Sequence, residues 1–380
     1  MRFSEVIGHH EIKEALRRMA DTGCIPHAIM LSGPAGIGKT RLARAFAQYI
    51  HCSARHDGDS CGRCPSCIQH QALNNPDMHY IYPVLRQANP KRSVSADYID
   101  EWRKMLAADS YMEPAEWLTL LDADNSQPAI YVDEADDLNS TAALSAFRED
   151  YKIFLIWLPE RMRPETANKL LKLIEEPFGD TLFILVCNDS GSVLPTIFSR
   201  TQRFNLRPLT VLELTEALVA ENIDPVTAAN AALLAEGSIH NARTAANADN
   251  DIAEFSNLFK AIMRSAYARK LGMLHQLTDK AAAMGRERLR SFLTYCARMV
   301  RENFICNLHQ PALNLMTPDE QEFSVRFAPF IHEGNAPQLL TQFSLAARDI
   351  ERNANAKIVM FDLALHLCAL IRVTKRPPAG

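Results

Sequence analysis

The stretch Ala28-Ile29-Met30-Leu31-Ser32-Gly33-Pro34-Ala35-Gly36-Ile37-Gly38-Lys39-Thr40 decides how the rest of the sequence is read. Its first four residues are a short apolar run of the kind a buried strand needs. Gly33 to Thr40 then fits the pattern G-x-x-x-x-G-K-[S/T]. The chemistry calls for these types. Glycines let backbone N–H groups turn inward around phosphate oxygens, Lys39 brings positive charge to the terminal phosphates, and Thr40 offers a hydroxyl to Mg2+. Leu42, Ala43, Phe46, Ala47 and Ile50 follow at helical spacing, so the helix aims its N-terminus at the anion. Strand, turn and helix together predict that Gly33, Pro34, Ala35, Gly36, Ile37, Gly38, Lys39 and Thr40 cradle ATP or ADP, with Mg2+.

Outward from the loop, Ile153 to Leu158 and Thr181 to Cys187 are further strand runs. Between them Ala167, Leu170, Leu171 and Ile174 mark a helix, with Pro164 near its start. Such alternation predicts a parallel sheet covered by helices. From about Leu209 the strand runs vanish and Ala- and Leu-rich helical patterns continue to the end. Asn247-Ala248-Asp249-Asn250-Asp251 reads as a linker or turn, and Lys375 to Gly380 as a frayed tail. A length of 380 residues suits two or three domains. The boundaries fall at 1–208, 209–247 and 248–376.

The formal net charge of −4 gives no global basic field, so any DNA contact must come from a local patch or a partner. The N-terminal segment lacks an apolar signal core, and no run is long enough to span a bilayer, which predicts no membrane contact and a cytoplasmic protein. In a reducing compartment the nine cysteines suggest metal rather than disulfides. Cys52, Cys61, Cys64 and Cys67 follow C-x8-C-x2-C-x2-C, a spacing that can close a tetrahedral Zn2+ site. Four thiolates leave no open position, so this zinc is expected to be structural. With the shell complete, His51, His56 and His70 read as surface side chains. Cys24, Cys187, Cys296, Cys306 and Cys368 read as small buried hydrophobes.

A phosphate-loop helix that runs straight into a four-cysteine insertion resembles the bacterial DNA polymerase III clamp-loader subunits, the gamma/tau and delta-prime type of the AAA+ family. Val6-Ile7-Gly8 with His27-Ala28 is similar to that family's N-terminal segment. Ala167 to Pro177 resembles its "NALLKxLEEP" helix, and Leu194 to Thr201 its "LPTIxSRC" segment. The resemblance implies an α/β AAA+ domain with an inserted zinc module (52–67), a small helical lid domain and an all-α C-terminal collar domain. It implies gamma/tau and delta partners in a hetero-pentamer, a sliding clamp, and primer-template DNA met through the assembly. Ser199-Arg200-Thr201 matches the Ser-Arg-Cys motif. This makes Arg200 the candidate arginine finger, acting in trans on a neighbour's nucleotide.

The chain departs from the family at the hydrolytic acids. Active members read roughly I-I-D-E-A-D-R-M where this chain has Leu155 to Met162, so Trp157 and Leu158 stand at the two acidic positions. Asp133-Glu134-Ala135-Asp136 is a decoy upstream. The family's helix does not follow it, and it reads as the start of a surface helix. Gly237 to Ala242 resembles the lid's "GSxRDA" segment, with His240 in place of the arginine and Arg243 out of register. Asn188 is the candidate sensor residue after the third strand run. An intact loop, missing acids and a retained finger imply a delta-prime-type stator that binds nucleotide with little or no hydrolysis and has no polymerase activity of its own. An active gamma/tau-type ATPase using the upstream acids is the alternative. A stand-alone zinc-containing nucleic-acid sensor is a weaker third reading.

Overall fold

The computed structural model describes residues 1–88, 91–108, 111, 114–121, 127–144, 146–147, 150–247, 249–308, 314, 316–351 and 354–373. Contacts divide the chain into two compact units, Met1–Thr244 and Ala245–Gly380.

In the first unit the elements run α1 (His10–Thr22), β1 (Ala28–Ser32), α2 (Lys39–His51), α3 (Pro65–Gln71), β2 (Met78–Ile81), β3 (Gln87–Ala88), β4 (Lys91–Arg92), α4 (Ile99–Ala108), α5 (Pro114–Leu120), α6 (Val132–Ala143), β5 (Lys152–Trp157), α7 (Pro164–Glu175), β6 (Thr181–Cys187), α8 (Pro195–Phe198), β7 (Gln202–Asn205), α9 (Val211–Ala220), α10 (Pro225–Leu234) and α11 (Ile239–Asn247). Five strands form one parallel sheet in the order β2-β5-β6-β1-β7. β3 and β4 make a separate antiparallel pair.

Alternate residues of each central strand enter opposite layers, as the two-residue period of a strand requires. Ile29, Leu31, Leu155, Trp157, Ile184 and Val186 meet Leu42 and Phe46 of α2 and Trp102 of α4. Met30, Phe154, Ile156, Phe183 and Leu185 meet Leu138 of α6 and Leu170 of α7. Burial on both faces explains why β1, β5 and β6 were legible as unbroken apolar runs. β5 begins at Lys152 and ends at Trp157, one residue earlier than expected. Leu158 instead takes a left-handed turn with φ 55°.

β2 and β7 were not expected. Met78-His79-Tyr80-Ile81 mixes polar and apolar residues, and β7 lies at the sheet edge with Gln202, Arg203 and Asn205 exposed. The supposed linker is also corrected. α11 runs to Asn247, and α12 (Asp249–Tyr267) takes in Asp249, Asn250 and Asp251. Ala248 and the tail from Lys375 to Gly380 lie outside the described residues.

The second unit continues with α13 (Leu271–Ala282), α14 (Arg286–Cys306), α15 (Pro318–Phe327), α16 (Ala336–Glu351) and α17 (Ala356–Leu370). Its core joins Phe259, Phe292, Met299, Phe343 and Leu363. An Arg298–Glu320 ion pair is enclosed there at 7% and 1% side-chain exposure. Among the described residues no helix is long and apolar enough to cross a membrane.

Candidate functional site

The loop between β1 and α2 sits at the carboxyl ends of the central strands. There, helix N-termini and turning backbone make a crevice for anions. Gly33 has no room for a side chain, because a Cβ there would come 2.4 Å from the carbonyl oxygen of Leu206. Leu206 N–H in turn donates to Ser32 O at 2.7 Å, which holds the edge of the sheet against the loop. Gly38, at φ 95°, precedes the first turn of α2. Lys39 and Thr40 are buried at the head of that helix. The Lys39 ammonium donates to Gly33 O at 2.7 Å and to Pro34 O, so it is turned onto its own loop. His9 Nε2 bonds Ile37 O at 2.9 Å, and Ile239 N–H donates to Gly36 O at 3.0 Å. The N-terminal segment and α11 therefore both grip the loop.

At the ends of β5 and β6, beside the loop, the structure places Trp157 at 2% and Leu158 at 5% exposure. Trp157 belongs to an aromatic cluster. Its ring centroid is 5.4 Å from Trp102, which stacks on Tyr82 at 4.1 Å and meets Trp117 edge-on at 5.6 Å. A carboxylate at that position would be withdrawn from water among those rings. Asn188 follows β6, and its N–H donates to a Glu160 carboxylate oxygen at 2.9 Å. Burial pushes the Glu160 carboxyl above its usual range, opposed by the N–H groups of Asn188 and Asp189 and by the Lys39 ammonium. Glu160 escaped the sequence reading. Trp157 and Leu158 fill the two acidic positions of the I-I-D-E-A-D-R-M segment, and Glu160 falls on its later acid.

The upstream acids are engaged elsewhere. α6 begins at Val132, as expected for the decoy. Asp133 accepts from Arg86 at 2.8 Å and Asp136 from Lys169 at 2.7 Å. Glu134 is not on the surface. It is 3% exposed and accepts from Ser95 N–H at 2.6 Å.

Tyr111 lies against the loop, its ring 3.0 Å from where a Gly38 Cβ would stand. The guanidiniums of Arg41 and Arg243 lie over that ring at 4.6 and 5.0 Å from its centroid. Arg243 also pairs with Glu221 at 2.6 Å, and His240 is 3.7 Å from Glu116. Arg200 stands elsewhere, after α8. Its partners are Glu175 at the end of α7, Thr196 O at 2.9 Å and Ser199 Oγ at 3.4 Å. It is 36% exposed.

The sulfurs of Cys52, Cys61, Cys64 and Cys67 all lie within 4.8 Å of one another. Thiolates about 2.3 Å from one tetrahedral zinc stand about 3.8 Å apart, so the cluster is near that size. The N–H groups of Cys61, Cys64 and Cys67 donate to Cys52, Cys61 and Cys64 sulfurs at 3.2, 3.3 and 3.4 Å. Such donors favour thiolate over thiol. The histidine reading is corrected here. His51 and His70 are each 4% exposed and meet at 2.9 Å, and His51 Nε2 bonds Tyr151 O at 2.9 Å. They lock the cysteine module to α2 and to the approach to β5. His56 is exposed, as expected. Of the scattered cysteines, Cys187, Cys296 and Cys368 are buried, Cys306 is half-buried and Cys24 is exposed.

The family described as "DNA polymerase III, delta subunit" matches residues 8–210. DNA polymerase III subunit delta' of Haemophilus influenzae is 30% identical over 198 residues, 52% of this chain and 46% of that protein. DNA polymerase III subunit gamma/tau of Mycobacterium bovis is 28% identical over 207 residues, 54% of this chain and 29% of that protein. The match thus spans less than half the length of either curated relative. A solved DNA polymerase III gamma subunit-related protein of Thermotoga maritima is similar with a TM-score of 0.43 and 13% identity, over 95% of this chain and 99% of that one.

Proposed function

This chain belongs to the DNA polymerase III delta-subunit family, and from that premise we propose that it is a delta-prime-type stator of the clamp loader that holds nucleotide without cutting it. The observation that carries this reading is the end of β5. Trp157 and Leu158 are packed into the core there, beside an intact phosphate loop. Hydrolysis needs one carboxylate to help hold the metal and another to polarise the attacking water. Without that pair most of the electrostatic stabilisation of the transition state is absent. The upstream acids that a gamma/tau-type motor would require are paired with Arg86, Ser95 and Lys169.

In this reading the backbone of Gly33 to Thr40 cradles the phosphates, and Lys39 leaves its own carbonyls to meet them. Mg2+, when bound, neutralises phosphate charge, with the Thr40 hydroxyl as its ligand. Asn188 senses the terminal phosphate. Residues 209–247 serve as the lid, and the helices of 248–376 as the collar that meets gamma/tau and delta subunits in a hetero-pentamer. The four cysteines hold a structural zinc. The assembly carries the sliding clamp to primer-template DNA in the cytoplasm. This chain contributes no polymerase chemistry.

Arg200 acts on the neighbouring motor subunit. Its planar guanidinium spreads charge over phosphoryl oxygens. It is exposed, and among the described residues its partners are Glu175, Thr196 O and Ser199 Oγ. The test is reconstitution with gamma/tau and delta subunits, comparing wild type with Arg200→Ala. The partner's DNA-stimulated ATPase should fall at the affected site by about 10³-fold or more, with assembly intact. Unchanged turnover would remove the finger assignment.

A further inference from the structure

The helical second unit carries a groove walled by rings and rimmed by basic residues. Met263 on α12, Phe327 on α15 and Ile371 after α17 line its depth and are buried. Tyr267 and Phe330 stand at its mouth, 45% and 38% exposed, and meet edge-on with ring centroids 4.9 Å apart. The groove has a volume of about 230 Å3. A dry apolar cavity of about 150 Å3 accepts a benzene ring, so this one has room for a bulky side chain. The charged residues that line it are both arginines, Arg264 and Arg326. Beside it Lys260 lies 5.6 Å from the Phe323 ring centre and Arg372 5.3 Å from that of Tyr267. Among the described residues none of these four cations is in an ion pair. In a chain of net charge −4 this is a local concentration of positive charge.

We infer that this groove receives a short acidic segment of another protein chain, which inserts one bulky apolar side chain beside Tyr267 and Phe330 and lays flanking carboxylates on Arg264 and Arg326. An exposed apolar patch with a polar rim marks an interaction surface. Burial of the apolar side chain supplies the anchor, and guanidiniums match carboxylates through paired hydrogen bonds. Single-stranded nucleic acid, the other polyanion, stacks its bases on open ring faces. Here cations lie over those faces. Arg372 covers Tyr267, and Lys260 and Arg264 cover Phe323, the arginine at 5.7 Å from the ring centre. The space left open is the groove itself, which suits a side chain better than a base. The chain's own last residues do not complement it in charge. Thr374 to Gly380 add Lys375 and Arg376 and no acidic side chain.

The test is a fluorescence-anisotropy titration of the full-length chain with a labelled synthetic peptide that carries two phenylalanines among aspartates. A second peptide has serine in place of each phenylalanine, and a third probe is labelled oligo-dT. Wild type is compared with the double variant Arg264→Glu, Arg326→Glu. Both side chains are exposed, and thermal melting checks that the variant keeps its fold. Wild type should saturate with the phenylalanine peptide and bind the serine peptide about 10-fold more weakly or less. The double variant should bind the phenylalanine peptide at least about 10-fold more weakly than wild type, because like charges then face each other. Equal binding by the two proteins, equal binding of the two peptides, or no saturation at millimolar peptide would overturn the inference. Tighter binding of oligo-dT than of the phenylalanine peptide at the same salt would overturn it as well and assign the groove to nucleic acid.

Discussion

Glu134 and Glu160 are both carboxyls withdrawn from water, and their partners differ. Glu134 is fixed in the α/β core by Ser95 N–H, and its pKa is pushed up to about 7 by burial, with that hydrogen bond acting against the rise. A carboxyl whose folded pKa lies above its unfolded value near 4.5 stabilises the fold fully below about pH 4.5. That contribution disappears as pH rises through about 7, because the folded state must then give up a proton inside the core. The rise corresponds to about 3 kcal/mol between those limits. Glu134→Gln should flatten this part of the stability–pH curve, read by urea unfolding between pH 5 and 8, and raise stability at pH 8. If the slope survived the substitution, another group would be its source. These residues also mark where reading a sequence stops short. Asp133-Glu134-Ala135-Asp136 looks catalytic as a string. Only the fold shows that its acids face Arg86, Ser95 and Lys169. Glu160 was overlooked for the converse reason. A single acid after a tryptophan, a leucine and a proline carries no pattern until β5, β6 and the phosphate loop are brought side by side.

Among the elements, β1, β5 and β6 were legible because both faces of each are buried and the apolar run is unbroken. β2 and β7 were not, because a short strand at a sheet edge needs only backbone pairing on one side. The helices α4 and α5 were missed as well. Their purpose is visible only in the cluster of Trp102, Trp117 and Trp157, which fills the space at the end of β5. The cysteine module was legible from spacing alone. Its anchoring was not, since the His51–His70 contact joins residues 19 positions apart on α2 and α3. A four-thiolate site is expected to hold about one zinc per chain. Cys64→Ser should lower the zinc content measured by atomic absorption to near zero and speed proteolysis within residues 52–67, while the circular dichroism of the α/β core persists. Undiminished zinc in that variant would place the metal on other ligands.

At the scale of the molecule, the chain divides into two units. The first, Met1–Thr244, carries the loop, the cysteine cluster and Arg200, and the regular elements described in the second, Ala245–Gly380, are all helices. The family match covers residues 8–210 and so speaks for most of the first unit. The collar role assigned to the second stands on its helical character and its place in the chain. If the phosphate loop holds nucleotide while Arg200 serves a neighbour's site, the chain by itself should leave ATP uncut. Single-turnover kinetics of the purified chain with radiolabelled ATP and Mg2+ reads this. Bound ATP should be recovered intact after many minutes, with no product above a Lys39→Ala control. Steady release of phosphate, abolished by Asp133→Asn or Glu134→Gln, would contradict the account and make this chain a motor.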